Sequence, residues 1–532
     1  MKIYNKIKKV VIVGGGSAGW MTATHFSNEL RHKKDVSITL VESPNHPTIG
    51  VGESTIGGIS HWLELNHLNH LPFLKDTDGT IKLSIRFENF YKKGDGGFHY
   101  PFGGLETSGC PNLNNDWFFK KLLYPDTHVS DFAHCYYSQM ALVKHNTLTD
   151  TFPNFKYHSD KAVHFDATKF GQWLKNNVCI PNGVKHILKE VKETPLDESG
   201  GIDHLLLDDG SKIEADLFID CTGFKSLLLG KALKEPFIDM SPLLPNNKAW
   251  ATRIPYKDKK KELCAYTNCF ALGNGWVWEI PLWSRWGTGY VFSDKYVSDE
   301  DALKEFKEHL KSRGYTDTEN YEYKKIHMRV GRHERVWVKN VLAIGLSAGF
   351  IEPLESNGLY SVHEYLNFFF EQCESRLPDI NSLDRSSINY QCGKIFDIFS
   401  RFVIMHYAMS ARDDTPYWRD IASKDWAAID PFPEGHGTNF WKSKFNQMWA
   451  DGRWDLYEGM NCIATGMNFN PWGWTKERIT TGIGTIRTNK DRYQATVDRI
   501  EAKVRNWELT AKKCKSTYDF IKDNWYSESE SK

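Results

Sequence analysis

The sequence predicts an α/β protein built on a Rossmann-type dinucleotide-binding unit, and three observations carry that reading. Val10 to Val13 is a run of apolar, mostly β-branched residues, as in a buried strand. Gly14, Gly16 and Gly19 come next as G-x-G-x-x-G and open a helical pattern over Trp20 to Leu30. A second strand, VSITLVE, ends at Glu42, where a carboxylate reaches the ribose hydroxyls of a bound dinucleotide. One glycine permits the tight turn, one lets backbone approach a pyrophosphate, and one lets helix pack on strand. The helix N-terminus then offers phosphate free N–H groups and a partial positive charge. A lone G-x-G-x-x-G reads equally as a turn of no function; strand, glycines, helix, strand and acid in register read as a dinucleotide site. The motif does not separate FAD from NAD.

Size and charge narrow the class. At 532 residues there is room for about three or four domains. Lys plus Arg and Asp plus Glu both number 67, which argues against a nucleic-acid groove or an anionic membrane surface as the main partner. Aromatic residues make up 14%, with 19 Trp. That richness suits recognition of flat apolar ligands, and it suits aromatic core packing equally well. The ten cysteines are scattered without a C-x-x-C pair, so neither a disulfide framework nor a zinc site is expected, and a reducing compartment is the natural reading. The basic start MKIYNKIKK leads into an apolar run broken by three glycines, too short for a signal segment. No stretch approaches the roughly 20 apolar residues of a membrane span. A soluble, cytoplasmic protein is expected.

After Glu42 the chain enters SPNHPTIGVGEST, a Pro- and Gly-bearing loop with Gly50, Gly52 and Ser54, read as a mobile strap beside the dinucleotide. Gly58 to Leu74 has a helical pattern that puts His67 and His70 on one face. A metal there would need further ligands that the sequence does not offer, so they read as solvated. Thr80 to Tyr91 alternates in polarity as a strand, with Lys82 near its start, and Gly94 to Gly109 is a glycine- and aromatic-rich loop. A helix is expected over Asp166 to Asn177. Strands come next at Ile187 to Val191 and in DHLLLDDGSKIEADLFID, turning at Asp208-Asp209-Gly210 and ending at Asp220-Cys221-Thr222-Gly223. KDKKKE, Lys257 to Glu262, reads as a solvated turn. Asn274 to Trp283 is an aromatic strand, and Asp299 to Gly314 an amphipathic helix stopped by glycine.

A second strand-to-glycine-to-helix crossing begins at Val341 to Ile344. With the acid-Cys-Thr-Gly strand end, it points to a two-segment FAD-binding (GR2-like, Rossmann-type) fold. From Asp384 the chain turns helical, Trp-rich and polar, and no repeat of fixed period is present. Residues 1–383 are expected to form the FAD-binding module, with a substrate-side β-sheet, and 384–532 a mostly α-helical C-terminal subdomain covering substrate. Trp441, Trp449, Trp454 and Trp472 could line a pocket or form that subdomain's core, and YSESESK reads as a frayed tail.

Three stretches go beyond a generic flavoprotein. Trp276-Val277-Trp278-Glu279-Ile280-Pro281 has the form W-x-W-x-I-P. Phe350-Ile351-Glu352-Pro353-Leu354-Glu355-Ser356-Asn357-Gly358 has the form F-x-x-P-x-x-S-x-G. Lys82 precedes the strand IRFEN. In this order behind GGGSAGW, and with HYAMSARDDTPYW at His406 to Trp418, they resemble the flavin-dependent halogenase family, most closely its tryptophan-halogenase branch. The resemblance runs from residue 10 to about residue 420 and is weaker beyond.

The resemblance implies a chemistry. In that family reduced FAD (FADH2) and O2 form a peroxide that a halide ion attacks, and the hypohalous acid travels to a lysine beside an aromatic substrate. Lys82 would hold or activate it, as a haloamine or through an N–H hydrogen bond, a role that desolvation suits; an exposed strand lysine is the plainer alternative. Glu355 would stabilise the cationic ring and accept its proton. Backbone N–H groups at Asn357 and Gly358 would bind chloride, bromide or iodide, although relatives commonly carry threonine at Asn357, which bears on halide preference. Trp276 and Trp278 would wall flavin from substrate. Gly14, Gly15, Gly16, Ser17, Ala18, Gly19, Glu42, Val191, Leu346 and Leu359 would contact FAD, and Tyr100 and Phe102 substrate. Tyr100 stands where tryptophan halogenases have a histidine, a departure that weighs against free tryptophan, so another indole-like or phenolic aromatic is expected. No nicotinamide unit is evident, which implies a separate flavin reductase; a homo-oligomer is allowed, and no metal is implied. The rivals are a two-component flavin monooxygenase inserting oxygen and a non-catalytic FAD-binding redox sensor.

Overall fold

A computed structural model describes residues 6–33, 35–45, 53–111, 115–424, 459–468 and 490–527. In chain order the elements that position the site begin with β1 (Lys9–Val13), α1 (Ser17–Glu29), β2 (Ser37–Glu42), β3 (Thr80–Lys82), β4 (Ser84–Glu88) and β5 (Gly97–Pro101). Next come α2 (Ala167–Leu174), β6 (Lys185–Leu188), β7 (Leu217–Asp220), β8 (Tyr266–Ala271), β9 (Gly275–Pro281), β10 (Trp286–Phe292) and α3 (Asp299–Ser312). The last are β11 (Trp337–Val338), β12 (Val341–Ala343), α4 (Tyr360–Cys373), α5 (Ser382–Ala408) and α6 (Met460–Gly466).

The chain folds into two compact units whose segments alternate along the sequence. Unit 1 comprises residues 1–79, 163–253 and 322–401, and unit 2 residues 80–162, 254–321 and 402–532. This grouping differs from the expected division after residue 383, which falls at the start of the continuous helix α5. Unit 2 draws its strands and helices from three separate stretches, a pattern that no local change in composition announces.

In unit 1 a six-stranded sheet runs β6-β2-β1-β7-β12-β11. The first five strands are parallel and β11 is antiparallel to β12. Numbered by their place in the chain, the five parallel strands lie in the order 3-2-1-4-5, which is the Rossmann order with its reversal between β1 and β7. Val10 to Val13, Leu217 to Ile219 and Val341 to Ala343 are all buried, as parallel strands covered on both faces must be. Helix α1 packs on α2 and α4, and the Ser17 hydroxyl donates to Ala167 O at 3.1 Å.

In unit 2 five strands lie in the order β10-β9-β8-β4-β5. Side chains alternate across this sheet. Trp276 and Trp278 share a face with Cys269, Phe87, Ile85 and Tyr100 by register. Glu279 points the other way, where Asn268 and the guanidinium of Arg313 bond it at 3.2 to 3.3 Å. The spelling W-E between two apolar positions is thus one strand serving two environments. The stretch His406 to Trp418 clasps the strand ends: Arg412 donates to Asn89 O and Ala271 O while paired with Asp414, and Trp418 Nε1 donates to Leu272 O.

Local departures from expectation have local causes. The helix expected over 58–74 is confined to Ile59–Leu65; His67, just past its end, takes φ +59°, and Leu71, ahead of Pro72, takes φ +53°. His67 and His70 therefore share no helix face. The strand expected over 80–91 is two, because Leu83 between them donates to Ala265 O and accepts from the Phe102 N–H. The loop expected over 94–109 contains β5, and KDKKKE contains a helical turn, Lys259–Glu262. The amphipathic helix α3 stands as expected, capped by Ser298 and ended by Gly314 at φ +85°. The expected strap lies partly, and Trp441, Trp449, Trp454, Trp472 and the tail wholly or nearly so, outside the described residues. Among the described residues no helix is long and apolar enough to cross a membrane, and all ten cysteines are free thiols.

Candidate active site

Three adjacent strands of unit 1 end together: Val13 is in register with Asp220, and Asp220 with Ala343. Each strand leads into a turn built without bulk. Gly14 has φ +117°, and a Cβ there would lie 2.3 Å from the carbonyl oxygen of Cys221. A Cβ on Gly19 would lie 1.8 Å from Gly14 O. Gly345, at φ +72°, brings the second crossing against Ala18 of α1, with an added Cβ at 3.0 Å from its methyl. Asp220 does not face this crevice. Its carboxylate accepts from Thr222 and from the N–H groups of Leu228 and Leu229 at 2.6 to 3.0 Å, folding the chain away from the strand end.

The crevice fits a dinucleotide. No side chain caps the N-terminus of α1, whose first residue comes after Gly16, so its N–H groups are left for an anion. Glu42 closes the side: a Cβ on Gly15 would lie 2.1 Å from its Cδ. Its Oε2 is held by His186 Nε2 at 3.0 Å, and burial, with Lys175 adding, keeps that imidazole below its ordinary pKa. Val191 lies just beyond Leu188, which is in register with Glu42. Leu346 is half-buried in the short turn Gly345–Ser347, and Leu359 is buried at the start of α4.

The second glycine turn, also in unit 1, joins the helical turn Pro353–Glu355 to α4. Ser356 takes φ +59° and its N–H returns to Pro353 O at 2.9 Å. Glu355 is fully buried, as is Glu352, which accepts from Asn246 Nδ2 at 2.8 Å. Among the described residues the backbone N–H groups of Asn357 and Gly358 donate no hydrogen bond, while Asn357 O accepts from Tyr360 at 3.0 Å. Of this stretch Asn357 and Gly358 line a cavity, together with Leu346, Phe350, Tyr365 and Phe399.

Lys82 belongs to unit 2, where it is completely buried with its ammonium 5.1 Å from the centre of the Phe102 ring. An exposed strand lysine is therefore ruled out. Phe102 meets Tyr100 edge-on at 5.5 Å, and Tyr100 packs against Gly459, where a Cβ would lie 2.5 Å from its ring. Gly466 of α6 does the same against Phe98, so this segment rests its glycines on β5. Trp276 and Trp278 are buried neighbours, 6.2 Å apart between ring centres.

With this geometry in hand, comparison decides the family. The tryptophan halogenase family model matches residues 9–465. The chain belongs to that family. Its sequence is 31% identical over 499 residues to tryptophan 6-halogenase ThaL of Streptomyces albogriseolus, covering 88% of this chain and 90% of that one. The fold superposes on the VirX1 apo structure with a TM-score of 0.89 at 37% identity, over 98% of this chain and 100% of the other. It superposes on Tar14, a tryptophan C-6 flavin-dependent halogenase (chlorinase), with a TM-score of 0.78 at 29% identity, over 97% and 99%. This tryptophan-halogenase family member is accordingly a flavin-dependent enzyme of the halogenase class, with the α/β fold and helical C-terminal part of its neighbours.

Two side chains of this site carried no signal in the sequence. Glu53, half-buried in the short strand Glu53–Ser54, brings Oε2 to 3.2 Å from where a Cβ on Gly358 would sit. Burial, with Asp166 adding to it, pushes its carboxyl up to about 7. Tyr365 reads in the sequence only as part of the apolar period of α4. Neither belongs to a motif: Glu53 reaches Gly358 from a distant strand, and Tyr365 lines the cavity from α4.

Proposed function

We propose that this enzyme is an FADH2- and O2-dependent halogenase that makes hypohalous acid and delivers it through Lys82 to a freely diffusing aromatic, indole-like or phenolic. The complete burial of Lys82 against Phe102 carries this reading. An amine enclosed against an aromatic ring, away from bulk water, is placed as delivery of an oxidant to a flat substrate requires.

Gly14, Gly15, Gly16, Ser17, Ala18, Gly19, Glu42, Val191, Leu346 and Leu359 would hold FAD. Bound as FADH2 from a separate reductase, it would supply the two electrons for O2 + X⁻ + FADH2 + H⁺ → HOX + FAD + H2O. The N–H groups of Asn357 and Gly358 would hold the halide. Lys82 would bind hypohalous acid by an N–H hydrogen bond or as a haloamine, with loss of water. Phe102 and Tyr100 would present the substrate ring. Glu355 would stabilise the cationic ring and take its proton as the carbon–halogen bond forms, so that ArH + HOX gives ArX + H2O. Trp276 and Trp278 would keep substrate from direct oxygen transfer.

Turnover with bromide and chemically reduced FAD, read by product mass, tests the reading. A brominated product is expected; a product heavier by oxygen alone overturns it. Lys82→Ala should abolish product, by at least about a hundred-fold, while reoxidation of reduced flavin stays within about two-fold. Glu355→Gln should slow halogenation by at least about tens-fold. Near-normal product from Lys82→Ala would refute the lysine's part.

A further inference from the structure

The cavity beside the second glycine turn holds two polar side chains that the fold leaves without a hydrogen-bond partner. Asn357 Oδ1 and Tyr365 Oη are both buried, their residues 7% and 1% exposed, and both residues line this cavity. An orphaned buried phenol and amide cost on the order of 1–3 kcal/mol each unless something in the cavity meets them. The rest of the lining says what that is. Asn357 and Gly358 bring two backbone N–H groups with no partner among the described residues, at the start of the 14-residue helix α4. A half-turn of the Asn357 amide exchanges its oxygen for a third N–H at no cost in shape. The rest of the lining is mainly apolar, with aliphatic side chains beside the rings of Phe350, Phe396 and Phe399, and includes Ser361. A set of donors under a positive helix end, enclosed by mainly apolar side chains, suits a small monovalent anion of low charge density.

We propose that Tyr365 is a halide ligand and the residue that sets halide preference, its O–H completing the donor set of Asn357 and Gly358 around one ion. This rests on the halogenase reading above and adds to it a side-chain ligand from α4. Burial holds the phenol well above its ordinary pKa, so it stays an O–H donor throughout the working range. Desolvation is the source of the selectivity. Chloride, the smaller ion, holds its water more tightly and loses more on entering a mainly apolar cavity. It therefore depends on each protein donor more than bromide or iodide does.

Tyr365→Phe deletes the donor and keeps the ring. With chloride and bromide in competition, KM for chloride should rise at least about ten-fold and KM for bromide by about two- to three-fold, so the bromo-to-chloro product ratio climbs. FAD affinity should be unchanged. An unaltered product ratio overturns the proposal. Crystals of the wild-type enzyme grown in bromide decide it separately: an anomalous peak within hydrogen-bond distance of Tyr365 Oη is expected, and a water alone at that position refutes the assignment. If the wild type halogenates nothing, the proposed function fails while the bromide experiment still answers for Tyr365. If it halogenates and Tyr365→Phe keeps the wild-type ratio, only the halide assignment falls.

Discussion

Unit 1 contains two glycine turns that open helices, and they are built on opposite principles. At Gly14 and Gly19 the neighbours are backbone: the carbonyl of Cys221 and that of Gly14 itself stand where side chains would go, while Gly15 between them faces the Glu42 carboxylate. At Ser356–Gly358 the strained position is held by a serine at φ +59°, and the nearest neighbour of a Cβ on Gly358 is the tip of the Glu53 side chain. Neither helix has a side-chain cap at its start, so both leave N–H groups for an anion. Backbone cannot swing aside and a carboxylate can. Gly14 and Gly19 are therefore rigidly fixed, while Gly358 faces a group that can move and titrates.

Gly14 is where this contrast faces its severest test. Gly14→Ala forces a Cβ into φ +117° and against Cys221 O, costing at least about 2–3 kcal/mol, or roughly a hundred-fold in FAD affinity. Flavin-fluorescence titration measures it, and near-wild-type affinity would mean the turn is not rigid.

The next largest effect is on pH. Glu53 titrates near 7 in the fold against an ordinary 4.5. The unfolded chain thus gives up this proton first, and stability falls as pH rises from about 4.5 to 7. Above 7 an ionised Glu53 opposes an anion at Gly358, so the halide KM should rise, approaching about ten-fold per pH unit. Glu53→Gln should flatten that profile and remove the loss of stability; a profile that keeps its slope in the variant assigns it to another group.

Gly358→Ala should be milder, since its φ is not in the left-handed region and Glu53 can move. A rise in halide KM of about two- to five-fold with unchanged FAD affinity is expected from steady-state kinetics. The smallest effect belongs to Gly210, left-handed at φ +80° with nothing within 4 Å of a Cβ. Gly210→Ala should cost about 1 kcal/mol in urea unfolding and leave turnover untouched, separating strain from crowding.

The same contrast explains what could be read without coordinates. The first turn was legible because backbone crowding admits only glycine, and because β1, α1 and β2 are consecutive in the chain. Lys82, Glu355 and the paired tryptophans were legible only as spellings that resemble a family, and their burial was not. The helix expected over 58–74 failed at His67, whose left-handed backbone ends it five residues before Pro72, and the single strand expected at Lys82 failed because Leu83 serves two partners. Glu53 and Tyr365 were invisible, since their importance lies in what they face.

The Rossmann crossing, its parallel apolar strands and the residue types available for chemistry were set by the sequence, because these depend on short-range sterics and on periods of two and 3.6 residues. Tertiary structure alone settled that two units alternate along the chain, that Lys82 is wholly buried beside Phe102, and that the Glu53 carboxyl reaches Gly358 while Asn357 and Tyr365 line one cavity. Burial and convergence are properties of contacts between distant segments, and those are fixed by packing, which no local pattern encodes.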